Sequence, residues 1–354
     1  MGTRRDRRDT GGHRDAAWAF GDGGTVTQAN RCHRLTGIGA RATLRALSLS
    51  VCLGGLTILV SSRLWSAWFV YDDPWTVLMM TRGVEWPYRL AAWLGDGLPW
   101  AYRVVILGLH LLNGGLLWVV MRQWLSVTAA LVALTLFWLH PLPWQAVASI
   151  TGGREVLLAS YVLVAAVGVL SRCWWGAVAA LVSVAAALML KPSAWPLAVL
   201  VPVLWASLYG WGRLAVIGLL VGGLMAFVGP SVAAPVVGTT WEPVTVWALA
   251  MWRYLALVAV PVGFSVLHDW RIVPSLIGWI GVSALAAVGM WAWHGRAWCV
   301  WVWVVGLTLP RAVLRDTAPL TDAQMYLPAV ALWIGLGSMT DYFAERTYGF
   351  RKSV

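Results

Sequence analysis

The chain has 354 residues, of which 60% are hydrophobic and only 12% charged, with a formal net charge of +11. Soluble domains carry about 25% charged residues, so this composition excludes a soluble globular domain and points to a bilayer as the solvent. Alternation of apolar and polar residues over about ten positions, the mark of a membrane β-barrel, is absent. Long apolar runs follow one another instead. In lipid each backbone donor and acceptor must be satisfied within its own segment, so the runs are read as helices. The fold class is therefore an all-α polytopic membrane protein.

Residues 1–42 are rich in Gly, Arg and Asp and read as a disordered basic tail. They carry Arg4, Arg5, Arg7 and Arg8, and the basic stretch continues to Arg45. A basic tail before a first span places the N-terminus in the cytoplasm. Nucleic acid is a poor partner for this charge, because no groove-reading motif accompanies it. The first span is expected over Thr43–Val60. Residues 61–98 form a large first extracytoplasmic loop, with Asp72, Asp73, Glu85 and Asp96 and one or two short amphipathic helices on the membrane surface. Further spans are expected at Tyr102–Met121, Val127–His140, Val156–Leu170, Trp175–Leu190, Ala194–Leu208, Leu214–Val228, Val244–Val266, Pro274–Trp293, Trp298–Leu309 and Met325–Met339. That makes about eleven transmembrane helices within a domain of residues 43–341. Pro141–Glu155 reads as a compact polar turn, and 342–354 as a short C-terminal tail.

Alternation from a cytoplasmic N-terminus places the turn Pro141–Glu155 and Lys191 outside, and Arg122, Arg172 and Arg213 inside. The positive-inside bias agrees with that register. Most of the 27 Trp residues fall at segment ends, as Trp174, Trp175 and Trp298 do, where a half-wet indole anchors a helix at the headgroup level. Cys32, Cys52, Cys173 and Cys299 form no CxxC pair and read as inert thiols. There is no Walker A loop, dinucleotide fingerprint or zinc motif, which argues against an ATP-driven pump. The first apolar run lacks the small-residue site of a cleavable signal.

Ionisable groups at membrane depth are costly, so each is a functional candidate. Asp72, Asp73, His140, Arg154, Glu155 and Lys191 gather on the expected outer face. A carboxylate pair such as Asp72–Asp73 can act as a general base or hold a cation. The same pair also reads as solvated loop residues. His140 can orient a phosphate or a carboxylate, or can simply end a helix before Pro141. Arg154 and Lys191 can clamp a lipid-linked phosphate, or can snorkel to headgroups. His110 and Asn113, about one turn apart, read as an interhelical hydrogen-bonding pair.

Six segments in order carry a resemblance. Leu136–Leu163 ends a helix in His140-Pro141 and continues through Ala146, Val147, Gly153, Arg154 and Glu155. Trp68–Trp75 holds Tyr71, Asp72 and Asp73, and Tyr102–Val120 holds His110 and Asn113. Leu190–Trp205 begins with Lys191, Arg253–Trp270 closes on Asp269, and Ala323–Gly337 holds the last motif. Together they resemble the transmembrane and tetratricopeptide-repeat O-mannosyltransferases and their bacterial relatives. Where that family has acids or an acid–arginine pair, this chain has Gln145, Pro192 and Ala323-Gln324. The resemblance covers residues 68–337 and leaves out the family's usual C-terminal repeats.

The resemblance implies a class-C glycosyltransferase (GT-C) fold, and compactness with the Arg-rich tail points to a bacterial inner membrane. It implies transfer of a sugar from a polyprenyl-phosphate carrier to a protein or glycan acceptor on the extracytoplasmic face. Asp72 or Asp73 would be the catalytic base, and His140, Arg154 and Lys191 would hold the donor phosphate. Glu155, Tyr71, His110 and Asn113 would support them. The resemblance fixes no cofactor and leaves a divalent metal open, with no residue assigned to one. Two other classes stay open: a lipid-linked-saccharide flippase, and a non-catalytic membrane subunit of a glycan assembly system.

Overall fold

The computed structural model describes residues 40–61, 85–171, 173–191, 242–260, 280, 281, 283, 303–305, 308 and 325–351. Among these, the ordered elements are helices: α1 (Ala40–Ser61), α2 (Trp86–Gly95), α3 (Pro99–Met121), α4 (Val127–Leu139), α5 (Pro141–Ala148), α6 (Gly153–Leu170), α7 (Trp174–Leu190), α8 (Glu242–Ala259) and α9 (Tyr326–Arg351). Asp72, Asp73 and Tyr71 lie outside the described residues, as do the expected sixth and seventh spans and most of the ninth and tenth.

Two of these helices, α3 and α6, are long and apolar enough to cross a membrane. The pair α4 and α5 passes the same test together and bends by 45° at its junction, which makes it a third candidate. These helices hold the core. Helix α6 packs closely against α7 and α3, α3 also carries α2 and α4, and α9 lies on α4 and α6. Leu117, Ala133, Leu134, Phe137, Leu158 and Trp333 sit at its centre, all essentially inaccessible.

Local chemistry sets the helix ends. Helix α3 starts with Pro99, whose missing N–H belongs to the donors a first turn leaves free anyway. The Ser126 hydroxyl accepts from Ala129 N at 3.2 Å and caps α4. At its far end His140 leaves the helix in an extended conformation. Its Nδ1 then accepts from Leu142 N at 3.1 Å, which caps α5. Helix α7 stops at Lys191, which is extended before Pro192.

The structure corrects several sequence expectations. Residues 141–155 are not a turn: Pro141–Ala148 is helical and α6 already begins at Gly153. The reason is that Pro141 is preset for a first turn and His140 supplies the cap. Helix α3 likewise begins three residues before the expected Tyr102. At the other end of the chain α9 continues to Arg351, through most of the expected tail. No proline interrupts Asp341–Arg351. Residues 85–98, the described part of the first loop, supply one short helix, α2. It buries Pro87, Tyr88, Ala91 and Gly95 and exposes Trp86, Trp93 and Leu94.

Candidate functional site

The start of α3, all of α5, the start of α6 and the end of α7 share one end of the bundle. Gly153 joins them closely: a Cβ there would lie 2.5 Å from Tyr88 Oη and 2.6 Å from Ile106 Cδ1. Glycine lets α2 and α3 approach the first turn of α6 at that point. Tyr88 donates its hydroxyl to Ile150 O at 2.7 Å, so α2 is tied to the turn that launches α6.

Four charged side chains meet at this end. Arg154 Nη2 lies 2.8 Å from Glu85 Oε1, just ahead of α2. The same nitrogen donates to Leu190 O at 3.4 Å. Lys191 Nζ pairs with Glu155 Oε1. Two consecutive residues of α6 thus reach two different neighbours. Both pairs hold a buried carboxylate and differ in the cation: Arg154 is 44% exposed over Glu85 at 9%, whereas Lys191 is 21% exposed over Glu155 at 6%. Solvent screens the outer cation more, and breaking either pair leaves a buried carboxylate without its cation. Burial pushes the Glu85 carboxyl above the usual carboxylate range, and Arg154 offsets only part of that rise. Helix geometry favours the inner pair as well, with Glu155 at the positive start of α6 and Lys191 at the negative end of α7.

His140 sits at the α4–α5 junction. Besides capping α5, it places Nε2 3.2 Å from Val258 O of α8, and its ring packs 4.8 Å from that of Trp333. Both ring nitrogens are engaged within the protein. Elsewhere Trp247, Met251 and Leu255 of α8, Leu332 of α9 and Val304 line a small apolar cavity of about 10 Å³, room for about one water.

His110 and Asn113 lie deeper in the bundle, about 16 Å along α3 from Pro99 for His110, and both are fully buried. They converge on one hydroxyl. Tyr326 Oη is 2.7 Å from His110 Nδ1 and accepts from Asn113 Nδ2 at 3.2 Å. Asn113 Nδ2 also donates to Val156 O at 2.9 Å. Three helices, α3, α6 and α9, are joined through this one asparagine.

The structure therefore brings Arg154, Glu155 and Lys191 together and sets His110 and Asn113 apart as a buried interhelical knot. Sequence reading treated Glu85 as one loop acid among four, although its place just before Trp86-Pro87, a helix-opening pair, marks it as anchored. It passed over Tyr326 as part of an apolar run. Among the described residues no group of three His, Cys, Asp or Glu side chains could hold a metal ion. Cys173 Sγ lies 3.3 Å from Ser171 Oγ, and Cys52 is exposed.

No family model matches this chain, and no curated protein or solved structure is similar enough to count as a match.

Proposed function

We propose that the chain is a membrane glycosyltransferase with a GT-C-like fold of about eleven spans. It moves a sugar from a polyprenyl-phosphate carrier to an acceptor hydroxyl on the extracytoplasmic face of a bacterial inner membrane, with its N-terminus in the cytoplasm. The observation that carries this reading is the convergence of Arg154 and Lys191, from different helices, at one end of the bundle. The ordered resemblance of six segments supports it as well.

In this reading Asp72 or Asp73 takes the proton of the acceptor hydroxyl. The oxygen attacks the anomeric carbon, the bond from that carbon to the phosphate oxygen breaks, and the phosphate leaves with its electron pair. Arg154 and Lys191 stabilise the departing charge. His140 holds the α4–α5 junction from which the turn before Arg154 continues.

The test is binding and turnover of polyprenyl-phosphate sugars by purified protein, with Asp72→Asn, Asp73→Asn and Arg154→Ala beside the unaltered chain. Saturable binding weakened by Arg154→Ala, with turnover lost in one aspartate variant, is the expected outcome. Full turnover in both aspartate variants would sink the mechanism.

One observation favours a second reading. Arg154 and Lys191 each already have a carboxylate partner, so the four charges compensate one another. That pattern suits a non-catalytic subunit in which the cluster only fastens helices. A folded protein that binds no donor, yet co-purifies with an assembly partner through this end, would favour it.

A further inference from the structure

We propose that Glu85 is a positioning residue for Arg154, fixing its guanidinium so that the remaining edge faces a ligand's phosphate. The inference rests on reading Arg154 as a phosphate-binding cation. Nη2 of Arg154 is held at two points, Glu85 Oε1 at 2.8 Å and Leu190 O at 3.4 Å. A guanidinium is planar, so two bonds on one terminal nitrogen orient the whole group. Nη1 and Nε have no partner among the described residues, and the side chain is nearly half exposed. The group is therefore anchored on one side and open on the other.

Glu85 can serve as such an anchor because it does not move with solvent. It is 7% exposed. Its backbone carbonyl accepts from Tyr88 N at 3.0 Å, and Tyr88 is itself bonded to Ile150 O. The anchor is thus tied to the turn that carries Arg154, and both ends of the ion pair share one rigid support. Without it, Arg154 would sample the rotamers open to a long surface side chain and lose the benefit of preorganisation.

The experiment measures binding of a polyprenyl monophosphate to the full chain in detergent. Inorganic phosphate and the matching polyprenol serve as the two source controls. The variants are Glu85→Ala, Glu85→Gln, Arg154→Ala and the double alanine variant, each with a melting curve. Arg154→Ala is expected to weaken the polyprenyl phosphate by about tenfold or more. Glu85→Ala is expected to weaken it by about three- to tenfold and leave polyprenol binding unchanged. Glu85→Gln keeps an acceptor for Nη2 and is expected to restore affinity, and the double variant to be no worse than Arg154→Ala alone. A purely structural role would lower the melting point without this split between phosphate and alcohol. If Arg154→Ala binds like the unaltered chain, the phosphate reading fails and the role of Glu85 falls with it. If Arg154→Ala loses binding while Glu85→Ala does not, the reading stands and the positioning role is overturned. Should Glu85→Ala fail to fold, a Glu85→Gln protein that folds yet binds as weakly as Arg154→Ala overturns it too.

Discussion

Lys191 Nζ donates to Glu155 Oε1 and fastens the residue that caps the end of α7 to the first turn of α6. Because Glu155 is 4% exposed, Lys191→Ala strips a buried carboxylate of its cation and is expected to cost about 2–4 kcal/mol. Replacing both residues by apolar ones of similar size should recover most of that loss. Unfolding in mixed micelles measures both, and equal losses in the single and double variants would refute the ion pair as the cause.

The raised Glu85 carboxyl makes a prediction about pH. Its protonated form is favoured more in the folded chain than in the unfolded one, so its charge opposes folding near neutrality. Stability from this group should therefore rise as pH falls from neutral toward the usual carboxylate range. Glu85→Gln should melt slightly above the unaltered chain at pH 7, with the gap closing as the pH is lowered. Melting curves across that interval check it, and a gap that widens toward acid would contradict the sign.

Gly153→Ala tests the closeness of α2, α3 and α6. The new methyl would meet Tyr88 Oη and Ile106 Cδ1 well inside contact distance. Overpacking of this kind costs about 1–3 kcal/mol. Tyr88 would have to shift away from Ile150, and Glu85 with it. Stability and polyprenyl-phosphate affinity are both expected to fall, whereas Gly115→Ala, where a Cβ meets nothing, should leave affinity unchanged and stability equal or up to about 1 kcal/mol higher.

Tyr326→Phe deletes the hydroxyl on which His110 and Asn113 converge. Interhelical hydrogen bonds in membranes average about 0.6 kcal/mol and reach about 1.7, and two converge on this hydroxyl, so a loss of about 1–2 kcal/mol is expected. Asn113→Ala should couple to it by at least about 0.5 kcal/mol in a double-mutant cycle. Strict additivity would show that the knot does not act as a unit.

Much of the helical content was legible because apolar runs in this chain can only be helices. The start of α6 was misplaced because a charge was taken to end a run: Arg154 and Glu155 lie in its first turn, where partners from elsewhere compensate them. The gathering of Arg154, Glu155 and Lys191 could be read from run ends alone. The pairing of Arg154 with Glu85 could not, since neither spacing nor periodicity links a loop acid to a helix so distant in sequence. Nor could the role of Tyr326, whose hydroxyl matters only once α3 and α9 are side by side.

The Ser126–Asp341 contact adds a consequence in time. Asp341 Oδ2 accepts from Ser126 N at 2.8 Å, and its other oxygen takes the Ser126 hydroxyl. These residues are 215 positions apart. At ribosomal speeds of about 5–20 residues per second, roughly 10–40 s separate the synthesis of the two. Throughout that interval the start of α4, like His110 until Tyr326 is made, waits without the partner it will finally have. Helix α9, made well after α4 and α6, is the one that packs on both, so this part of the bundle is completed only late in its own synthesis.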